Sequence, residues 1–410
     1  MPLLSNSSPC CTAAAVVNSS DRKPGFVSPS WRNCKVTSPI LRLSQNDKFN
    51  VSRLALSHSR RTISMALVGE TVGVGQKGQV ASSSGILAYD LIQGALVRWS
   101  SVMDRSLPEP PTAVFLHGIL GCRKNWGTFA RRLAQEFPTW QFLLVDLRCH
   151  GDSASIKKRD PHTVASAAMD VLKLVRELRI TPRVLVGHSF GGKVVLSMVD
   201  QAAKPLARPV RAWVLDATPG KVRAGGDGED HPAELISFLS TLPNEGLGII
   251  RDMRMRMSVR NIVLKVPSKW DVLRALIQQG FSNDVAQWVV TNLRPSSSPG
   301  SQSSSFSWVF DLRGIAEINY IVSVFTDARK IVEDVPRGVH VNFLKAERSL
   351  HRWALEDLQR IHAAEELAVE EGGGVEMHVL EDAGHWVHTD NPDGLFRILS
   401  SSFQFQGGKI

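Results

Sequence analysis

The residues best placed to do chemistry lie in the stretch RVLVGHSFGGKVV, which runs from Arg183 to Val195. Its serine, Ser189, completes the pattern Gly-x-Ser-x-Gly between two apolar runs. The first run is β-branched and predicts a buried strand, whereas the second has helical spacing, so Ser189 stands on a strand-to-helix turn. A tight turn of this kind strains its central residue and exposes the hydroxyl beside a helix N-terminus. The chemistry it suits is nucleophilic attack, because the helix start favours the anion that forms.

Residues that could assist this serine follow other predicted strands. A serine hydroxyl becomes a good nucleophile only when an imidazole takes its proton and a carboxylate orients that imidazole. Reaction centres in open α/β sheets lie at the carboxyl ends of the strands. The residues that follow the apolar runs of this chain include His117, Gly118, Asp146, His150, Asp216 and His385. A histidine and an acid are therefore available to Ser189.

The elements that must position these residues predict an α/β protein with a mostly parallel central sheet. The predicted strands lie within 86–102, which holds two strands joined by a turn, and at 113–116, 142–145, 183–186, 212–215, 339–344 and 375–380. Helical apolar spacing occurs between them at Trp126–Phe137, Thr163–Leu178 and Lys193–Ala203. Short apolar strands that alternate with helices imply a sheet covered by helices on both faces.

This alternation is interrupted between residues 220 and 336. Helical patterns at 233–242, 247–256, 270–277 and 284–293 predict a helical lid inserted into the sheet domain. The stretch Pro295–Ser307 is rich in serine and proline and is predicted to be a mobile loop. Candidates for lining a cleft under the lid are Phe238, Leu239, Met253, Met255, Met257 and Trp288. Ordinary core packing is the competing interpretation for each of these side chains.

Four motifs, LHGILG, DLRCHGDS, GHSFGGK and EDAGHWVH, occur in this order and resemble the α/β-hydrolase fold superfamily over roughly residues 86–403. The form GHSFGGK, with HGDS before it and GHWVH after it, is most similar to the small esterase and thioesterase branch of α/β-hydrolase domain-containing proteins. The resemblance implies that Ser189 is the nucleophile and His385 the general base. It also implies that the backbone N–H groups of Phe190 and Ile119 form an oxyanion hole.

The acid of the triad has two candidates. In much of the fold the acid follows the strand before the histidine, but here that turn reads Lys345-Ala346-Glu347-Arg348, without an aspartate. Asp216 follows the strand predicted at 212–215 and lies 27 positions after Ser189. By the resemblance, this is the family's alternative position for the acid of the triad. We predict Asp216 as the acid, with Glu347 in reserve. The competing interpretation is that Asp216 caps the Thr218-Pro219-Gly220 turn.

The other histidines of these motifs are predicted to support the site. By the resemblance, His117, Gly118 and His150 shape the loops around the pocket, and we expect hydrogen bonding there rather than proton transfer. His188 neighbours Ser189 but points to the opposite side of the strand, so a structural role is predicted. His388 lies three residues beyond His385, whose preceding glycine suits a mobile base better.

Composition limits the class of protein and its partners. The chain has 410 residues, 43% hydrophobic and 21% charged, as globular proteins do. Its net charge of +9 comes mostly from residues 1–66, which hold nine basic and two acidic residues, so no nucleic-acid partner is predicted. No window of about 18 apolar residues predicts a membrane span. Cys122 and Cys149 have no metal-ligand spacing and are predicted to pack as small apolar groups.

The domain organisation follows from these shifts in composition. Residues 1–66 are serine-rich and poor in acids, which predicts a transit peptide for the plastid, with the mitochondrion as the alternative destination. Residues 67–84 are predicted to be a flexible linker. The hydrolase core is predicted in two parts, 85–219 and 337–405, separated by the lid at 220–336.

The sequence therefore predicts a serine hydrolase that cleaves carboxylic esters or thioesters through an acyl-enzyme. The methionine-bearing insert favours a small-molecule substrate with an apolar, lipid-like acyl group. Peripheral contact of the protein with a membrane is left as an open alternative. Neither a metal nor an organic cofactor is predicted. Two alternatives remain: an acyltransferase that uses the same triad, and a ligand-binding receptor of this fold with little turnover.

Overall fold

A computed structural model of the chain describes residues 85–97, 109–156, 158, 160–201, 210–220, 232–242, 269–296, 305–324, 328–349, 353–371 and 374–404. The predicted transit peptide, the linker and the insert helix predicted at 247–256 lie outside the described residues. No helix within the described ranges is long and apolar enough to cross a membrane.

Seven strands form one central sheet: β1 Tyr89–Gln93, β2 Thr112–Leu116, β3 Gln141–Val145, β4 Pro182–His188, β5 Val210–Leu215, β8 Val339–Ala346 and β9 Val375–Leu380. Strands β6 Leu293–Ser296 and β7 Ser305–Trp308 form a separate pair. The order across the central sheet is β1-β3-β2-β4-β5-β8-β9. Strand β1 pairs antiparallel with β3, and the other neighbours are parallel. This confirms the predicted α/β-hydrolase architecture with a mostly parallel sheet.

Helices connect the strands and cover the sheet. Those of the core are α1 Gly127–Glu136, α2 Val164–Glu177, α3 Phe190–Gln201, α9 Leu355–Glu371, α10 Val387–Asp390 and α11 Pro392–Ser400. Local sequence sets their ends: the Thr163 side chain caps α2 by accepting from Ser166 N at 2.9 Å. At α11, Asn391 Oδ1 accepts from Gly394 N at 2.8 Å, and Pro392 occupies the first turn.

Side chains that alternate along each strand divide the interior into two cores. Val114 of β2 faces the core that contains α2 and α3, whereas its neighbour Phe115 faces the core that contains α1 and α11. Both faces of the inner strands β2, β3, β4 and β5 are therefore buried, which explains why these strands read as largely apolar runs.

The predicted insert contributes helices α4 Pro232–Thr241, α5 Lys269–Gln279, α6 Asn283–Val290, α7 Leu312–Val324 and α8 Arg329–Glu333. Leu235 of α4, Val272 of α5 and Val285 of α6 pack into the same core as α2 and α3. The prediction of a loop over Pro295–Ser307 is wrong at both ends. There, β6 Leu293–Ser296 pairs antiparallel with β7 Ser305–Trp308, because apolar residues at the far ends bring the two segments together. The role of the whole insert as a lid stays a prediction.

The prediction of two strands within 86–102 corresponds in the described part to β1 alone, followed by a turn at Ala95 and Leu96. In that turn Gly94 N donates to Trp140 O at 2.9 Å, and Leu96 N donates to Pro138 O at 2.9 Å. These bonds keep the register of β1 with β3 and extend the antiparallel pairing past Gln93. The helix predicted from Trp126 begins as a short 3₁₀ turn at Arg123–Trp126 before α1.

Candidate active site

Ser189 occupies the turn between β4 and α3, in the strained conformation that the sequence pattern predicts. Its φ is +52°, in the left-handed region that costs a non-glycine residue free energy. The backbone closes around it, since Ser189 N donates to Leu215 O at 2.9 Å and Gly192 N donates to Ser189 O at 2.9 Å. A Cβ on Gly187 would lie 2.1 Å from Gly191 O, so only glycine permits so tight a turn.

The loop after β2 borders this serine. A Cβ on Gly191 would lie 2.7 Å from His117 O, so the start of α3 runs directly against the end of β2. A Cβ on Gly118 would lie 3.4 Å from Ser189 Cβ, which places the loop beside the hydroxyl-bearing carbon. Phe190 is the first residue of α3 and Ile119 stands next to Gly118. The two predicted oxyanion-hole residues are therefore both in segments that adjoin Ser189.

Asp216 and His385 form a close pair at the ends of β5 and β9. His385 Nδ1 lies 2.7 Å from Asp216 Oδ2. The Asp216 carboxylate is fully buried, whereas about a third of the His385 side chain is exposed (32%). Asp216 also has a positive φ of +47°, and its N–H donates to Leu344 O at 2.7 Å. The chain therefore turns sharply at the carboxyl end of β5. This pair provides a buried anion that orients an accessible imidazole.

Two further groups hold the Asp216 carboxylate, and both come from the segment that ends β8. Ala346 N donates to Asp216 Oδ1 at 3.2 Å, and Ser349 Oγ donates to Asp216 Oδ2 at 2.5 Å. Glu347 belongs to the same segment but is exposed, and its Oε2 accepts from Asp382 N at 2.9 Å. The segment that we predicted to hold the reserve acid therefore supplies donors to Asp216.

His188 links the histidine loop to the serine turn. It directly precedes Ser189, and its Nε2 donates to His385 O at 2.7 Å, with the two ring centroids 4.8 Å apart. His388 packs against Trp126 at 4.7 Å and against His188 at 5.4 Å between ring centroids. Burial, with the charge of His385 second, lowers the pKa of His388 from its ordinary 6.5 to about 4. Burial also holds the pKa of His188 well below its usual range, so both rings stay neutral at pH 7.

His117 and His150 tie together the loops that follow β2 and β3. His117 Nε2 accepts from Leu147 N at 3.0 Å, and His150 Nε2 accepts from Leu120 N at 3.0 Å. Burial lowers the pKa of His117 to about 4 and, with a smaller effect of His117, that of His150 to about 3. Each ring is therefore neutral and holds the two loops together by hydrogen bonds, and its effect on the shape of the pocket stays a prediction.

An ion-pair cluster that the sequence did not reveal fixes the loop after β3. Arg123 Nη1 donates to the fully buried Asp146 Oδ2, and Arg123 also pairs with Asp90 at 3.1 Å and Asp152 at 2.8 Å. Burial raises the pKa of the Asp146 carboxyl despite the Arg123 charge beside it. A Cβ on Gly151, whose φ is +53°, would lie 2.2 Å from Asp146 Oδ2, so glycine is required there.

The two cysteines of the folded part remain thiols. Burial, with Asp146 second, raises the pKa of Cys122, and burial with Asp311 second raises that of Cys149 to about 12. Neither provides the thiolate that a nucleophile needs.

The insert reaches this site through an aromatic contact. The Trp288 ring of α6 packs against the Trp386 ring at 5.6 Å between centroids, and Trp386 directly follows His385. Phe238, the other aromatic cleft candidate, packs instead against Phe281 at 5.9 Å. Met253, Met255 and Met257 lie outside the described residues. Trp288 is therefore the insert side chain that the structure places beside the histidine loop.

The fold and this constellation define the class of protein. Residues 113–398 match the alpha/beta hydrolase family, which is more than half of the chain, so the chain belongs to that family. Its relatives include an esterase/lipase, diacylglycerol lipases and, over about a quarter of the chain, a 2-succinyl-6-hydroxy-2,4-cyclohexadiene-1-carboxylate synthase. The family and the esterase and lipase relatives identify the chain as a hydrolase.

Individual relatives span most of the chain. It is 26% identical over 324 residues to the sn-1-specific diacylglycerol lipase ABHD11 of Mus musculus, over 77% of this chain and 84% of that protein. It is 23% identical over 296 residues to a putative esterase/lipase of Haemophilus influenzae, over 70% and 82% of the two chains. A marine microorganism esterase shares the fold with a TM-score of 0.53 at 18% identity, and the match covers 78% of this chain and 99% of the esterase.

Proposed function

We propose that this chain is a serine hydrolase that cleaves carboxylic esters or thioesters through an acyl-enzyme. The observation that carries the proposal is the 2.7 Å pair of His385 Nδ1 and Asp216 Oδ2, joined through His188 to the strained turn of Ser189. An imidazole held by a buried carboxylate has its other ring nitrogen available to take a serine proton. Neither Cys122 nor Cys149 competes for the role of nucleophile.

In the proposed first step, Ser189 Oγ attacks the acyl carbonyl carbon while its proton passes to His385 Nε2. The carbonyl oxygen becomes an anion that the backbone N–H groups of Phe190 and Ile119 stabilise, each worth about 3 kcal/mol or more in comparable sites. Asp216 stabilises the imidazolium that forms. The alcohol or thiol then leaves with the His385 proton, and the acyl group stays on Ser189.

In the second step His385 takes a proton from water, and the resulting hydroxide attacks the acyl-enzyme. Collapse of the second tetrahedral intermediate releases the carboxylic acid and returns the proton to Ser189. Two neutral histidines, His188 and His388, flank His385 and add no positive charge that would oppose the imidazolium. This supports the assignment of His385 as the group that carries the proton.

We propose that the acyl group is apolar. The contact of Trp288 with Trp386 supports this, because it borders the histidine loop with aromatic surface rather than with charge. The relatives support it too, since one is named a diacylglycerol lipase and another an esterase/lipase. An oxygen ester and a thioester would be cleaved by the same steps, so the experiment below decides whether the leaving group is an alcohol or a thiol.

The proposal is tested by hydrolysis of p-nitrophenyl esters from acetyl to palmitoyl, with matching acyl thioesters. We expect turnover by the wild type, none above background by Ser189→Ala, and unchanged turnover by Ser401→Ala, a control at an exposed serine of the C-terminal turn. Turnover that survives in Ser189→Ala contradicts the mechanism. Wild-type protein that is folded but turns over no ester supports the receptor alternative instead.

We also propose import into the plastid, with residues 1–66 as the address. Their nine basic residues, two acidic residues and abundant serine support this. A fluorescent protein fused behind residues 1–66 should accumulate in chloroplasts of plant cells, whereas accumulation in mitochondria would favour the alternative destination.

A further inference from the structure

A second cluster of reactive side chains lies where the core meets the predicted insert. His162 Nε2 lies 3.0 Å from Asp160 Oδ1, and the ligand atoms of Asp160, His162 and Glu317 all lie within 4.8 Å of one another. Asp160 and His162 precede α2 of the core, whereas Glu317 comes from α7 of the insert. Residues separated by 155 positions therefore converge on one point, which no sequence spacing indicated.

The His162 ring is oriented for a ligand at Nε2. Its Nδ1 faces Cys149 Sγ at 3.5 Å, and its backbone N–H donates to Glu317 Oε1 at 3.0 Å. Histidines that bind metals commonly place their second ring nitrogen against another group, which fixes the tautomer and the ring. Here Nε2 faces Asp160 Oδ1, and the Glu317 carboxylate belongs to the same cluster of ligand atoms.

The dimensions and the access also fit a metal ion. Two ligands at about 2.1 Å from a tetrahedral Zn²⁺ stand about 3.4 Å apart. His162 Nε2 and Asp160 Oδ1 lie 3.0 Å apart and all three ligand atoms lie within 4.8 Å of one another, so a small shift of the side chains brings them to zinc-binding distance. The His162 side chain is only 12% exposed, whereas that of Asp160 is 77% exposed. An ion can therefore enter from the Asp160 side and be held by His162 at the inner side.

The neighbouring basic residues neutralise a different acid. Arg148 Nη2 pairs with Asp170 Oδ2 at 2.9 Å, and Lys158 Nζ pairs with Asp170 Oδ1 at 3.3 Å. The carboxylates of Asp160 and Glu317 converge on one imidazole instead. One imidazole with two carboxylates is a donor set that suits a borderline divalent cation better than Mg²⁺, which prefers oxygen ligands in octahedral geometry.

We propose that Asp160, His162 and Glu317 bind a Zn²⁺ ion that joins the loop before α2 to helix α7. Water completes the coordination on the exposed side. The ion is structural, because it connects the core to the insert at the point where Asp311 N already donates to Cys149 O at 2.8 Å. Binding stabilises the docked position of α7 and takes no part in the chemistry of Ser189.

The test uses the full chain, stripped with a chelator and dialysed against Zn²⁺, with bound metal counted by mass spectrometry. Because His385 can also bind zinc, all proteins carry His385→Gln. The variants are His162→Gln and Glu317→Gln, and the matched control is Glu333→Gln, an exposed acid of α8 that pairs with Arg360. Melting temperatures without metal show that each variant is folded.

We expect one Zn²⁺ per chain in the parent and in Glu333→Gln, and at least about tenfold weaker binding in both site variants. Zinc should raise the melting temperature of the parent and of Glu333→Gln but not of Glu317→Gln. Equal zinc affinity in the folded site variants and the parent would overturn the proposal, as would no binding to the parent. Binding of Mg²⁺ as tightly as Zn²⁺ would overturn the assignment of the ion.

Discussion

Replacing Asp216 with asparagine changes one atom of the site and tests how the carboxylate acts. Asp216 Oδ1 accepts from Ala346 N, and Oδ2 accepts from both Ser349 Oγ and His385 Nδ1. The backbone N–H of Ala346 forces the amide oxygen of an asparagine to the Oδ1 side. The amide NH₂ then faces His385 Nδ1, which must become an acceptor, so the proton of the neutral ring moves to Nε2.

An imidazole with its proton on Nε2 cannot take the proton of Ser189. The same replacement in another Ser-His-Asp enzyme lowers kcat about 10⁴-fold, and we expect a loss of that order here. This corresponds to about 5 kcal/mol of transition-state stabilisation. Substrate binding does not involve the carboxylate, so KM should change little.

The assay is the steady-state rate of p-nitrophenyl ester hydrolysis by the wild type, Asp216→Asn and Glu347→Gln. Glu347→Gln is the matched control, because this exposed acid bonds Asp382 N and not the histidine. We expect its kcat to match that of the wild type. The reasoning is refuted if Asp216→Asn retains wild-type kcat, or if Glu347→Gln loses activity while Asp216→Asn does not.

Three more results follow from the contacts of the site. Ser349→Ala removes a hydrogen bond to a charged group, worth about 1.5–3 kcal/mol, and should lower kcat about ten- to a hundredfold; unchanged kcat would show that the 2.5 Å bond does not orient the acid. Gly187→Ala places a methyl group 2.1 Å from a backbone oxygen and should lower the free energy of unfolding, measured by urea titration, by about 3 kcal/mol or more. The control Gly127→Ala, whose added methyl group would have its nearest atom at 3.5 Å, should not lower it. Equal effects of the two substitutions would contradict the geometry of the turn. The pKa values of His117 and His388 fall from 6.5 to about 4 on folding, so the unfolded chain binds more protons below pH 6.5. The free energy of unfolding should fall from pH 6.5 to pH 4, by at most about 3 kcal/mol for each histidine; a flat profile in urea titrations would contradict their buried, neutral state.

The inner strands of the sheet were predictable because they are buried on both faces. Apolar runs predicted β2, β3, β4 and β5, and apolar residues interrupted by polar ones predicted β8 and β9. The segment 86–102 predicted the opening strand without its bounds. The hairpin of β6 and β7 escaped prediction for a physical reason. Its pairing depends on contacts between Leu293 and Trp308 across an intervening segment of serine and proline, whose composition carries no strand signal.

The candidate site was also predictable only in part from the sequence. Ser189, Asp216 and His385 each follow a strand, and parallel strands bring their carboxyl ends to one edge, so sequence order predicted their convergence. The hydroxyl of Ser349 lies 133 positions from Asp216, and no local pattern marks that contact. Only the fold shows that the segment after β8 supplies hydrogen-bond donors.

The most direct test of the central proposal is covalent labelling with a fluorophosphonate, followed by peptide mapping of the adduct. Such probes react with a serine only when a general base activates it. We predict one adduct per chain, on the peptide that contains Ser189, and none in His385→Gln. An active esterase that carries its adduct on another residue, or that remains unlabelled at Ser189, would contradict the account.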